Sequence, residues 1–312
     1  MEAAVSGKLL TAALFFPKGA EHVNKHSGRR RFIALCVAPA ALLFAFFMVL
    51  PTLNVFRMSL FERGAYSPTE TFVGLQNFRT LLQDAKFISS MQNTILLIVV
   101  VTVVTFAFAL VFAGILTREK IRGQNFFRII FYIPNILSVV VIAGIFSAVY
   151  KPENGMLNSI LSMLKGETVM VLWKDQPLVI VSIIIAMVWQ FSGYVAVIFL
   201  AAIKNVPTNI INAAKLDGAY MPRIYGKMII PQLKGAMGSC ITILAMYALR
   251  SFDFIVSLVG YTTSSAWTLP VWMYNEAFQS NNFAYSAAIS CFLLALVLVL
   301  ILPLTYWTNR RK

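Results

Sequence analysis

Charge is scarce in this sequence, and histidine is scarcer. Of 312 residues only 12% are Asp, Glu, Lys or Arg, with 2 histidines and 3 cysteines. A soluble globular domain carries about a quarter charged residues, so half that share excludes a chain that meets water over most of its surface. His22 and His26 both fall in the polar N-terminal segment, and Cys36, Cys240 and Cys291 sit singly in apolar runs without a CxxC pair. That distribution excludes a His/Cys metal cluster and a disulfide framework, and the cysteines read as small buried hydrophobes. A nucleotide-cradling Gly-x4-Gly-Lys-Ser/Thr loop is also missing, since Gly226-Lys227 has no glycine at the required distance before it.

What is present is hydrophobicity, at 59% of residues. A helix needs about 20 mostly apolar residues to cross the hydrocarbon core. Six stretches meet that length: Phe32–Phe56, Thr94–Leu116, Ile129–Val149, Pro177–Ile203, Gly235–Val259 and Ala284–Trp307. Each is a continuous run without period-two alternation, which predicts helices rather than barrel strands. The early run Leu9–Phe16 is too short to span, stops at Pro17 and lacks a small-residue cleavage site, so it is not read as a signal peptide. Tyr306 and Trp307 before Arg310 suit an interfacial anchor. Pro39, Pro51, Pro134 and Pro303 are either kinks or tolerated packing features.

The net charge of +14 is distributed unevenly along the chain. The N-terminal tail, Thr117–Arg128, Lys204–Lys234 and the C-terminal tail together hold 18 basic and 4 acidic residues. The alternate connectors, Arg57–Lys86, Tyr150–Gln176 and Gly260–Phe283, hold seven of each. By the positive-inside rule the basic set faces the cytoplasm. The basic excess is therefore a topology signal and not a nucleic-acid footprint. The expected organisation is an all-α membrane protein with six transmembrane helices and both termini cytoplasmic. It has a basic tail over 1–31, a membrane domain over 32–307 with a cytoplasmic loop at 204–234, and a short tail over 308–312.

The 204–234 loop is the most informative connector. Asn209 to Leu216 reads as a short helix that Asp217-Gly218 ends, glycine being suited to a left-handed stop. A second short helix runs from about Pro222 toward Ile230, where Pro231 interrupts it. Small residues at Ala213, Ala214, Gly218 and Ala219 would let another protein approach closely; an ordinary amphipathic connector is the alternative.

Asn212-Ala213-Ala214, then three residues, Gly218, nine residues and Met228-Ile229-Ile230-Pro231 resembles the EAA loop of ABC-importer permeases, of the carbohydrate type. The resemblance continues at Phe72-Val73-Gly74-Leu75-Gln76-Asn77-Phe78, at Asn93-Thr94 opening the second span, and at Arg122-Gly123, Phe127-Arg128 and Pro134. It extends through Gly155-Met156-Leu157-Asn158, Phe199-Leu200-Ala201-Ala202-Ile203 and Phe252-Asp253-Phe254-Ile255. Two positions depart from the family. Asn212 replaces the glutamate that can pair with a basic residue on the ATPase, and Gly260-Tyr261-Thr262-Thr263 stands where the family has Gly-Gly-Pro.

The resemblance implies the type I ABC-importer permease fold. It also implies a second homologous permease subunit, two ATPase subunits, an extracytoplasmic solute-binding protein and a sugar as cargo, in a bacterial inner membrane. Thr208–Tyr220 would be the coupling segment, with Asn212, Ala213, Ala214, Asp217, Gly218, Ala219 and Pro231 as its motif positions. ATP and Mg would be bound by the partner ATPase, with no cofactor, metal or catalytic residue in this chain. The positions matching the sugar pocket of maltose-type members are Gln190, Tyr194, Tyr247 and Ser251.

Arg250 and Asp253 draw attention on physical grounds. A charge at mid-membrane costs about 2.5–3.5 kcal/mol on insertion scales. At i, i+3 on one helix they could pair, or serve cargo. Arg250 leaves open an acidic sugar, since its fork matches a carboxylate. Two other classes are considered. An ion-coupled secondary transporter or channel predicts several intramembrane carboxylates or an inverted repeat, whereas only Asp253 is clearly inside a span. An intramembrane enzyme would need a nucleophile–base pair or a metal constellation, and no histidine lies beyond the tail.

Overall fold

The computed structural model describes residues 25–63, 70–116 and 123–309. Leu9–Phe16, His22 and the basic Arg310–Lys312 lie outside them. The chain divides into two compact units, Met1–Asn54 and Val55–Lys312.

The first unit is helical. Helix α1 begins with Lys25–Phe44, passes through one wider turn at Ala45–Val49 and resumes at Leu50–Ser59. Its apolar side chains face outward all round, Leu35, Leu42, Phe46 and Phe47 among them, and so does Cys36. A helix apolar on every side belongs in a hydrocarbon medium. The expectation of three buried cysteines therefore holds for Cys240 and Cys291 and not for Cys36.

The second unit opens with the last residues of α1, from Val55, followed by a two-stranded antiparallel ribbon, β1 (Phe61–Arg63) and β2 (Glu70–Phe72), pairing Phe61 with Phe72. Short helix α2 (Gln76–Gln83) leads to α3 (Ala85–Leu116), followed by α4 (Gln124–Ile136) and α5 (Val139–Val149). Helix α6 (Met156–Lys165) precedes α7 (Val179–Lys204). The loop helices are α8 (Thr208–Leu216) and α9 (Met221–Gln232), and α10 (Lys234–Leu249) and α11 (Phe252–Val259) come next. Helix α12 starts at Leu269–Tyr274 and continues through Asn275–Gln279, and α13 (Phe283–Asn309) ends the described chain.

Among the described residues, four helices are long and apolar enough to cross a membrane: Phe32–Ser59, Ala85–Leu116, Val179–Lys204 and Phe283–Tyr306. The third and fifth apolar segments are broken. Helices α4 and α5 meet at 100°, and α9 and α10 at 69°, so the count reaches 6 only if each bent pair is one span. The first bend follows Pro134, which removes a helical N–H. Beyond it Ser138 restarts the helix, its Oγ accepting from the Val141 N–H at 3.3 Å.

Two apolar clusters hold the bundle. One gathers Leu97, Ile142, Ile183, Phe254 and Ile289. The other gathers Ala109, Phe199, Ile203, Leu233 and Cys240, and Tyr247 packs against both. Close approach of α7 to α4 depends on Gly193, where a Cβ would overlap the Phe131 carbonyl.

Three asparagines tie the connectors outside these clusters. Asn77 Nδ2 donates to the carbonyls of Ser59 (2.8 Å) and Phe61 (2.9 Å). Asn93 Nδ2 donates to Ser265 and Trp267, both at 2.9 Å, while Thr94 Oγ1 accepts from the Leu269 N–H at 3.0 Å. Asn158 donates to Pro152 (2.9 Å) and Val171 (3.0 Å) and accepts from Trp173 Nε1 at 2.8 Å. Asn93-Thr94 thus lies a third of the way along α3 rather than opening it, and its work is to hold the loop before α12.

Candidate functional site

A cavity of about 370 Å³ lies at the break between α10 and α11. Helix α10 ends at Leu249, Arg250 and Ser251 turn outside helical geometry, and α11 restarts at Phe252. The break makes an i, i+3 argument inapplicable to Arg250 and Asp253. Both are exposed and line the cavity, and their side chains form no ion pair with each other. Ser251 lines the same wall.

The aromatic side of the site is built across two helices. Tyr247 OH donates to Gln190 Oε1 of α7 at 3.0 Å, and Gln190 is only 4% exposed. A buried amide oxygen needs that partner. The Tyr247 ring meets Phe191 edge to face, with centroids 4.4 Å apart. Of the sequence-predicted residues, Tyr247, Arg250, Ser251 and Asp253 line the cavity directly. Gln190 stands behind Tyr247 and does not line it. Tyr194, one turn further along α7, lies by Tyr132 with centroids 6.4 Å apart and takes no part in the cavity wall. Sequence reasoning missed Val139, Phe191, Ile243, Met246 and Phe254, which complete the lining. The last four flank chosen residues by one to four positions, but Val139 arrives through the α4–α5 bend and left no local signal.

The first helix of the 204–234 loop is stopped at Gly218 as expected, its φ being +76°, whereas the second, α9, runs through Pro231 to Gln232 instead of being interrupted there. Asn212, Ala213, Asp217, Gly218 and Pro231 are exposed, as are Leu216 (89%) and Tyr220. Ala214 is different: it is buried within the chain's own cluster with Ile224 and Ile229, and its carbonyl accepts from the half-buried Ala219 N–H at 2.9 Å. Its small side chain therefore serves internal packing and is not offered outward. Tyr225 on α9 ties the loop to the bundle, its hydroxyl donating to the Gly114 carbonyl of α3 at 3.2 Å.

A second, open cleft of about 500 Å³ is lined by Asp84, Lys86, Trp272, Glu276 and Tyr285. Tyr285 OH donates to Asp84 Oδ2 at 2.7 Å, and Lys86 Nζ sits 5.2 Å from the Trp272 ring centroid. Burial raises the Glu276 carboxyl above the ordinary range; the Asp84 charge adds to this, while the Ser280 hydrogen bond and Lys86 oppose it. Among the described residues, no group of three or more His, Cys, Asp or Glu could hold a metal.

Residues 107–311 match the family described as binding-protein-dependent transport system inner membrane component. A probable ABC transporter permease protein of Pyrococcus horikoshii is 35% identical over 281 residues, covering 89% of this chain and 96% of that one. The xylose/arabinose import permease protein of Haloferax volcanii is 34% identical over 251 residues, covering 80% and 78%. Among solved structures, a bacterial ABC transporter involved in import of the acidic polysaccharide alginate superposes with TM-score 0.79. It is 22% identical, over 94% of this chain and 100% of that one, a likeness of fold. Broken apolar helices, an exposed 204–234 loop and the family match agree. The chain belongs to the binding-protein-dependent inner membrane components, and is a multi-pass permease subunit of the type I ABC-importer fold that transports rather than catalyses.

Proposed function

We propose that the chain forms half of the translocation pore for a carbohydrate, paired with a second homologous permease subunit and surrounded by membrane lipid. A solute-binding protein delivers the cargo outside. Two ATPase subunits bind ATP and Mg inside and move the loop Thr208–Tyr220. The cavity at the α10–α11 break carries this reading. It presents aromatic faces at Phe191 and Tyr247 beside polar groups at Arg250, Ser251 and Asp253. Sugar rings offer apolar C–H faces and hydroxyl edges, which such a lining suits. The relative named for xylose/arabinose import supports the same class. Exposed Asn212, Ala213 and Gly218 support the loop as the ATPase contact, with Asn212 supplying a neutral amide where a carboxylate would form a charged pair.

The test is uptake of labelled sugar into proteoliposomes containing the assembled importer, with its binding protein outside and ATP inside. ATP-dependent accumulation that Tyr247→Ala reduces several-fold is expected. Accumulation by this chain alone on an ion gradient would establish a secondary transporter instead.

A further inference from the structure

The wall at the α10–α11 break has donors left over. Ser251 is the N-cap residue of α11 and is 2% exposed, yet its Oγ has no partner and makes no bond to the first turn. An N-cap serine ordinarily accepts from an N–H of that turn; here the helix start has no side-chain cap, and the acidic group in its first turn is Asp253. The side chain of the preceding residue, Arg250, forms no ion pair or hydrogen bond among the described residues. Arg250, Ser251 and Asp253 thus line a single cavity, with no ion pair between Arg250 and Asp253.

We infer that this wall is an oxyanion subsite, taking the carboxylate or phosphate of an acidic sugar; the inference rests on the carbohydrate reading above. The Arg250 fork grips an oxyanion through two parallel N–H donors. The Ser251 hydroxyl, which has no partner within the chain, donates a third bond. Asp253 accepts from the hydroxyls next to the acid group and repels a bare anion. The wall therefore selects a molecule that carries both an anion and hydroxyls, and discriminates against inorganic phosphate.

The experiment is calorimetric binding to the assembled importer in nanodiscs, with digalacturonate, glucose 6-phosphate, maltose and inorganic phosphate as probes. One acidic sugar should bind about 10- to 100-fold tighter than maltose, the worth of one charged hydrogen bond. Which acid does so distinguishes carboxylate from phosphate. Arg250→Gln should erase the preference and Arg250→Lys should keep part of it, with co-purification of the partners confirming that both variants assemble. Maltose binding as tightly as both acids, a preference surviving Arg250→Gln, or inorganic phosphate matching the acidic sugars overturns the inference. If maltose binds and Tyr247→Ala abolishes that binding without any acid preference, the carbohydrate reading stands alone. If no sugar of either charge binds, both readings fall.

Discussion

Gly193 offers a sharp test of the bundle's packing, because its neighbour is backbone that cannot rotate away. A Cβ there would overlap the Phe131 carbonyl of α4, and Phe131 Cβ would also lie within 3.1 Å. Relief requires α4 to withdraw from α7. Withdrawal would strain the Phe131–Phe112 contact, whose centroids are 4.0 Å apart, and the approach to the Pro134 bend. Overpacking of this kind costs about 1–3 kcal/mol, which at roughly 2–4 °C per kcal/mol is a fall of about 2–12 °C in Tm. Gly144 in α5 is the control, since a Cβ there meets nothing within 4 Å. Gly144→Ala should be neutral or stabilise by about 0.5–1 kcal/mol through helix entropy. Both variants would be followed by thermal denaturation of the purified protein in one detergent. Opposite signs are expected, and Gly193→Ala melting with or above wild type would refute the close approach of α7 to α4.

Gly218→Val forces a branched side chain into φ +76°, at a cost of about 1–2 kcal/mol; membrane insertion should persist while sugar moved per ATP hydrolysed falls. Asn158→Ala removes a clamp on the carbonyls of Pro152 and Val171 and leaves Trp173 Nε1 without its acceptor. At about 1–3 kcal/mol per unsatisfied buried group, proteolysis of the segment 151–176 should accelerate in oriented vesicles. Glu276→Gln tests the raised carboxyl. A raised folded value means that the stability contribution is full below the ordinary carboxylate range and lost as pH rises through the raised one. The variant should therefore match wild type in acid and exceed its melting temperature toward neutrality; parallel pH profiles would count against burial as the cause.

Length and apolarity made the helices readable, because crossing a bilayer demands a run that no soluble element requires. The breaks were harder to see. Pro134 marked the first bend, but nothing in Leu249-Arg250-Ser251 distinguishes a helix interruption from a helix, and an i, i+3 pair drawn through it dissolves in the structure. The loop's stop at Gly218 was legible because a positive φ needs glycine. Ala214 was misjudged because small residues suit internal packing and external docking equally, and only the neighbours Ile224 and Ile229 decide between them. The asparagines were visible as motif letters while their partners were not. Asn93 bonds carbonyls that lie 172 and 174 residues away, a distance that no local pattern carries.

The central claim is that an ATPase moves this chain through the 204–234 loop, and cross-linking tests it most directly. Asn212 is exposed on α8, whereas Lys165 is exposed at the end of α6, in a connector that its charge balance predicts on the other side of the membrane. In a background free of native cysteines, Asn212→Cys should cross-link to the co-expressed ATPase subunit, with a yield that changes when ATP is added. Lys165→Cys should not cross-link to it. Cross-linking of the ATPase at Lys165→Cys and none at Asn212→Cys would contradict the account.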